Sequence, residues 1–91
     1  MCATLIGGMD RLHRDYINSA RDRGVALKVF TGKENHIADK VGSADHVILF
    51  TNMVSHAARR EVMQHARANN IPVHLLHSCG VSTLRQCLDN L

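Results

Sequence analysis

Short apolar runs alternate along this chain with stretches of helical periodicity, and that alternation constrains the fold more than any other feature. The runs ATLI, VALKVF, HVILF and IPVHLL are each of strand length. Between them lie segments of roughly ten to eighteen residues with apolar positions three and four apart, the pattern of βαβ units built on a parallel sheet. The first strand is expected over Ala3–Ile6, followed by a helix from Met9 to Arg23 with Leu12, Tyr16, Ile17 and Ala20 on one face. Gly24 stands where a helix-terminating glycine belongs. The second strand covers Val25–Phe30, and a short helix runs from Glu34 to Val41. The third strand, HVILF, is continuously apolar, as a strand covered on both faces should be. Asn52 or Ser55 is a suitable cap for the next helix, which buries Val54, Ala58, Val62 and Ala66 and ends near Asn69. Strand four occupies residues 71–76, and a last helix starts at Ser78 or Cys79 with Val81, Leu84, Leu88 and Leu91 inward.

The whole of residues 1–91 reads as a single α/β domain without linker, repeat or low-complexity tract. Four parallel strands most simply adopt the order 2-1-3-4 of a three-layer, Rossmann- or flavodoxin-like sandwich. Strands one and three are then neighbours and the topology reverses between them. Ligands of such sheets bind beyond the carboxyl ends of the strands at that switch point. The loops reaching this rim are GGMDR, TNMVSH and HSCGVS. They carry Met9, Asp10, Arg11, Asn52, Met53, Ser55, His56, His77, Cys79 and Ser82, a concentration of polar and soft side chains beyond what the fold itself requires.

Composition narrows the function. The formal charge of +3 is mild, and basic residues are interleaved with acids, as in MDRLHRDYINSARDR. With aromatics at 3%, there is little to stack on bases, so nucleic acid is a poor partner. No segment approaches the ~20 apolar residues of a membrane span. The start, MCATLIGG, lacks a basic region and reads as a strand rather than a signal peptide. Three cysteines make no disulfide framework and suit the cytoplasm. Histidine stands out: seven residues in 91, several-fold above a usual share of roughly 2%. The imidazoles are either surface chemistry or ligands to a metal or haem, since imidazole is the commonest metal ligand.

The segments GGMDR, ADHVILFTNMVSH and IPV leading into an HS-containing loop together resemble a bacterial domain-of-unknown-function family, number 2325. The similarity extends from Leu5 to about Leu88, with GGMDR and T-x-x-V-[SN]-H as its most specific parts. The resemblance implies a small Rossmann-like domain of cytoplasmic bacterial proteins with His56 at the family's histidine position, and histidine-ligated haem and oxygen binding. Cys79 departs from the family pattern.

Three functions are then in competition. In the first, His56 ligates haem iron, with His13 and His77 as further axial candidates and Met9 and Met53 as apolar lining. Arg11, Arg14 or Arg59 pairs with the propionates, because guanidinium binds carboxylate bidentately. An open axial position would take O₂ or another gas. A chain this small has little crevice for a porphyrin, so a homodimer sharing the cofactor is expected, formed through the sheet edges at strands two and four. A bare metal on His56, His77 and Cys79 is a variant without the close spacing of a structural zinc site. In the second, the helix N-termini at the rim bind an anion or nucleotide, although neither GxGxxG nor GxxxxGK[ST] is present. In the third, Cys79 and Arg85, at C-x5-R, act as the thiolate and arginine of a phosphatase-like loop. Leu84 and Leu88 define the buried face there, which turns Arg85 towards solvent.

Overall fold

A computed structural model describes residues 1–91. The run Val47–Phe50 is wholly shielded from solvent and forms the interior of a four-stranded parallel sheet. Its strands are β1 (Cys2–Ile6), β2 (Ala26–Phe30), β3 (His46–Phe50) and β4 (Val73–Leu76), in the spatial order β2-β1-β3-β4. This is the expected 2-1-3-4 arrangement, with every neighbouring pair parallel. The helices are α1 (His13–Arg21), α2 (Ile37–Val41), α3 (His56–Ala68) and α4 (Val81–Asp89).

Because side chains alternate along a strand, each face of the sheet has its own core. On one face Ala3, Leu5, Leu27, Ile48 and Phe50 meet Tyr16 and Ala20 of α1 and Leu84 and Leu88 of α4. On the other, Ile6, Val47 and Leu49 meet Ile37 and Val41 of α2 and Val62 of α3. The sheet is therefore the middle of three layers, and the rim beyond Ile6 and Phe50, at the β1/β3 junction, is the switch point.

The helix ends explain the element boundaries. Gly24 has φ +74, and the amides of Gly24 and Val25 donate to the carbonyls of Arg21 and Ala20 at 3.0 and 2.9 Å. These two bonds close α1 in a Schellman turn, as the sequence indicates. Asn70 does the same for α3 at φ 56, with Ile71 N–H donating to Ala66 O at 2.8 Å.

Several starts are later than periodicity predicts. Met9 is extended, Asp10–Leu12 form a 3-10 turn, and α1 begins only at His13. The Tyr16 hydroxyl accepts the Met9 N–H at 3.2 Å, holding Met9 outside the helix. The expected helix from Glu34 starts at Ile37, because the Glu34 carboxylate accepts the Thr31 and Gly32 amides and closes a turn before it. Thr51–Met53 is likewise a 3-10 turn. Ser55, rather than Asn52, caps α3, its Oγ accepting from Ala58 N–H at 3.2 Å. In α4 the cap is Gly80, so Ser78 and Cys79 lie in the preceding loop.

Candidate functional site

The rim splits into separate pieces when its residues are placed one by one. Gly7 is held by the close approach of three strands' loops: its N–H donates to Phe30 O at 2.9 Å, and its φ is +93. A Cβ there would lie 2.6 Å from Val54 Cγ2 and 3.0 Å from Phe50 O, so only glycine fits. Beyond it a crevice of about 270 Å³ is lined by Gly8, Met9, Asp10, Thr31, Lys33 and Met53. A larger hollow of about 410 Å³ adjoins it and shares Lys33 and Met53, with Glu34, Ser55 and Glu61 among its walls. Met9, Asp10 and Met53 are thus brought together as the sequence predicts. Lys33 and Glu34 were missed, although TGKE directly follows strand two and so must reach the same rim.

Most backbone donors of this crevice are already used. Gly7 and Gly8 both donate to Phe30 O, and Met9 donates to the Tyr16 hydroxyl. That hydroxyl in turn donates to Cys79 O at 2.5 Å, tying the loop after β1 to the loop after β4. Burial raises the Tyr16 pKa, so it stays a neutral donor. Thr31 and Gly32 donate to Glu34. Burial pushes the Glu34 carboxyl up, but the hydrogen bonds from Thr31 and Gly32 outweigh it and hold it below its usual range. The chain's own carboxylate fills this nest of amides, where an external anion would otherwise sit.

His77 leaves the crevice as well. Its Nδ1 is 3.2 Å from Thr51 Oγ1, which also donates to Leu76 O at 3.3 Å. Arg11, His13 and Arg14 are exposed around the start of α1, and Asn52 is exposed in the 3-10 turn after β3. His13 opens α1 instead of lying one turn inside it. Arg85 is exposed, as expected, and its Nε donates to Ser19 Oγ of α1 at 3.3 Å, away from Cys79. Cys79 is half-buried, and all three thiols are free. No three histidine, cysteine or acidic side chains gather as a metal set, so His56, His77 and Cys79 do not assemble one.

His56 and Arg59 occupy a different surface. Ala57, Ala58 and Glu61 face the hollow beside α2, and Glu61 accepts the Ala38 N–H at 2.7 Å. The other flank of α3 carries His56, Arg59, Arg60, Met63 and Arg67, which line a groove of about 310 Å³. Their spacing of three, four, seven and eleven residues puts them on one strip of helix. The molecule's single ion pair is Arg23–Asp89, 2.6 Å apart and elsewhere, which leaves these three guanidiniums without acidic partners. Sequence reasoning found His56 and Arg59 but not Arg60, Met63 and Arg67, whose signal lay in the outward periodicity of HAARREVMQHARA.

A family model described as "Uncharacterized protein conserved in bacteria (DUF2325)" matches residues 2–91. The chain belongs to this family. The GGMDR loop, the β3–α3 segment and the β4–α4 loop, which carry the DUF2325 resemblance in the sequence, all reach the one rim just described. No curated protein and no solved structure matches the chain. No helix of this DUF2325 member is long and apolar enough to cross a membrane.

Proposed function

We propose that the chain is a cytoplasmic haem-binding protein in which His56 is an axial ligand to iron. One observation carries this reading: His56 is exposed and unbonded in a groove whose other walls are Met63 and three unpaired arginines. Imidazole supplies the iron ligand, methionine a soft apolar wall, and guanidinium the partner for propionate carboxylates. The groove therefore fits the donor set a haem requires better than the switch-point crevice, where no histidine lines the wall.

His56 and Met63 lie two turns apart on the same flank, so His56 would hold the iron and Met63 would line the same side of the groove. Haem held by His56 would supply reversible binding of O₂ or another small ligand, unless a second copy of the chain covered it. A homodimer that sandwiches the cofactor would add the apolar area a shallow groove on one protomer lacks. Haem supplies iron-centred ligand binding; the protein's part is to hold it, set its orientation through Arg59, Arg60 and Arg67, and limit water access.

The anion reading also shifts to this flank, since the switch-point amides are committed to Phe30, Tyr16 and Glu34. A haemin titration separates the two. Stoichiometric uptake with a Soret band, abolished in His56→Ala, is the expected result. Unchanged spectra with haemin, together with a rise in melting temperature on adding pyrophosphate, would replace haem by a phosphate-bearing ligand.

A further inference from the structure

The sheet face beneath α1 and α4 is apolar at almost every position, with two exceptions. His46 opens β3 and His74 lies on β4, and both project to the side that carries Ile48, Phe50 and Leu76. The register pairs His74 with Ile48, so the two histidines are diagonal neighbours across adjacent parallel strands. Both are half-buried. Their rings are tilted by 40° with centroids 5.2 Å apart, and His46 Nδ1 is 3.1 Å from His74 Nε2. Neither ring makes any other hydrogen bond.

We infer that His46 and His74 form a bidentate site for a borderline divalent transition ion such as Zn²⁺, Ni²⁺ or Cu²⁺. Two nitrogens that each lie 2.0–2.1 Å from one ion, at an angle of roughly 90–110°, are themselves about 2.8–3.4 Å apart. The observed 3.1 Å therefore matches the bite of two adjacent ligands. In the metal-free pair one of these nitrogens donates its proton to the other, and an ion binds the tautomers in which both protons sit on the far ring nitrogens, leaving both aimed nitrogens with a lone pair. Metal binding needs neutral imidazole. Burial, and secondarily the charge of His46, lowers the pKa of His74 and favours that form.

Two protein ligands leave the remaining positions to water, which separates this site from four-ligand structural zinc. The core on this face is complete without an ion, so metal exchange does not cost the fold. The site is independent of the His56 groove, which runs along α3 on the other face of the sheet.

The test is calorimetric titration of the haem-free full chain with Cu²⁺ and Zn²⁺, each without haemin. The expected result is one ion per chain, at least tenfold weaker in His46→Asn and in His74→Asn, and unchanged in His36→Asn. Binding should weaken as pH falls, because proton and ion compete for the same imidazole nitrogens. Absence of binding, or equal affinity in both variants, would overturn the site. Should either variant fail to fold, wild-type NMR decides: sub-stoichiometric Cu²⁺ should broaden His46 and His74 resonances first. Broadening centred on other histidines would refute it.

Discussion

The switch-point crevice and the outer flank of α3 both carry polar side chains beside methionine but use them oppositely. Around the crevice, Tyr16, Thr51, Ser55 and Glu34 are all spent on holding loops: they bind Met9, Leu76, Ala58, Thr31 and Gly32. On the flank, His56, Arg59, Arg60 and Arg67 bind nothing within the chain. Polar residues after parallel strands are not automatically ligand groups; many are needed to satisfy the backbone of the turns themselves. Ligand capacity lies where polar side chains remain uncommitted. Substitutions in the two regions should therefore separate stability from binding.

The largest stability effect is expected at Gly7. Gly7→Ala places a methyl against Val54 and Phe50 O at a left-handed φ, combining strain with overpacking. We expect a loss of about 3 kcal/mol or more, read from urea unfolding. A loss below about 1 kcal/mol would show that the loop yields, and that the crevice is softer than its hydrogen bonds imply.

Tyr16→Phe comes next. The ring is fully buried and packs against Phe50 with centroids 5.8 Å apart, so the phenylalanine retains its shape. What goes is the hydroxyl that bridges Met9 N–H and Cys79 O. Leaving both groups without their partner should cost about 2 kcal/mol. Haemin uptake should persist, because neither loop touches the α3 flank.

These two positions also show what the sequence could convey. Strand order, the inward stripes of the helices and the Gly24 stop follow from local periodicity and turn chemistry, and are found in the structure except at Ile17, which belongs to neither core and lines a surface hollow with Arg21 and Val25. The delayed start of α1 was not legible, because the group that holds Met9 out is a hydroxyl seven residues later whose position depends on β4's loop. The basic flank was half legible. Acids and bases alternate in the chain, but Glu61 turns to α2, leaving the arginines segregated in space. The His46–His74 pair was hidden, since only strand register brings residues 28 apart in sequence together.

A smaller effect is expected on acidification. The pKa of His74 in the folded chain lies below its value of 6.5 in an unfolded one. The unfolded chain therefore takes up a proton first as pH falls, and stability decreases from about pH 6.5 downwards until His74 protonates in the folded state too. Above that window the contribution is fully present. Comparing urea midpoints at pH 7.5 and 5.5, the decline should be shallower in His74→Phe. An identical slope in both proteins would remove His74 from the account.

The smallest stability effect is expected on the α3 flank, where the binding effect should be large. Arg59→Ala with Arg60→Ala removes no hydrogen bond and no ion pair. Each change should alter stability by no more than about 0.5 kcal/mol, as for surface positions away from caps and cores. If the guanidiniums hold propionates, haemin should nonetheless dissociate faster from the double variant, with weaker affinity at low salt than the wild type shows. Lysine at both positions should restore part of the affinity, since charge is kept while the bidentate fork is lost. Should haemin bind equally well to the double variant, the propionates must face elsewhere. The unpaired arginines at the start of α1, Arg11 and Arg14, would then be the remaining cations to test, and the contrast between crevice and flank would lose its functional half.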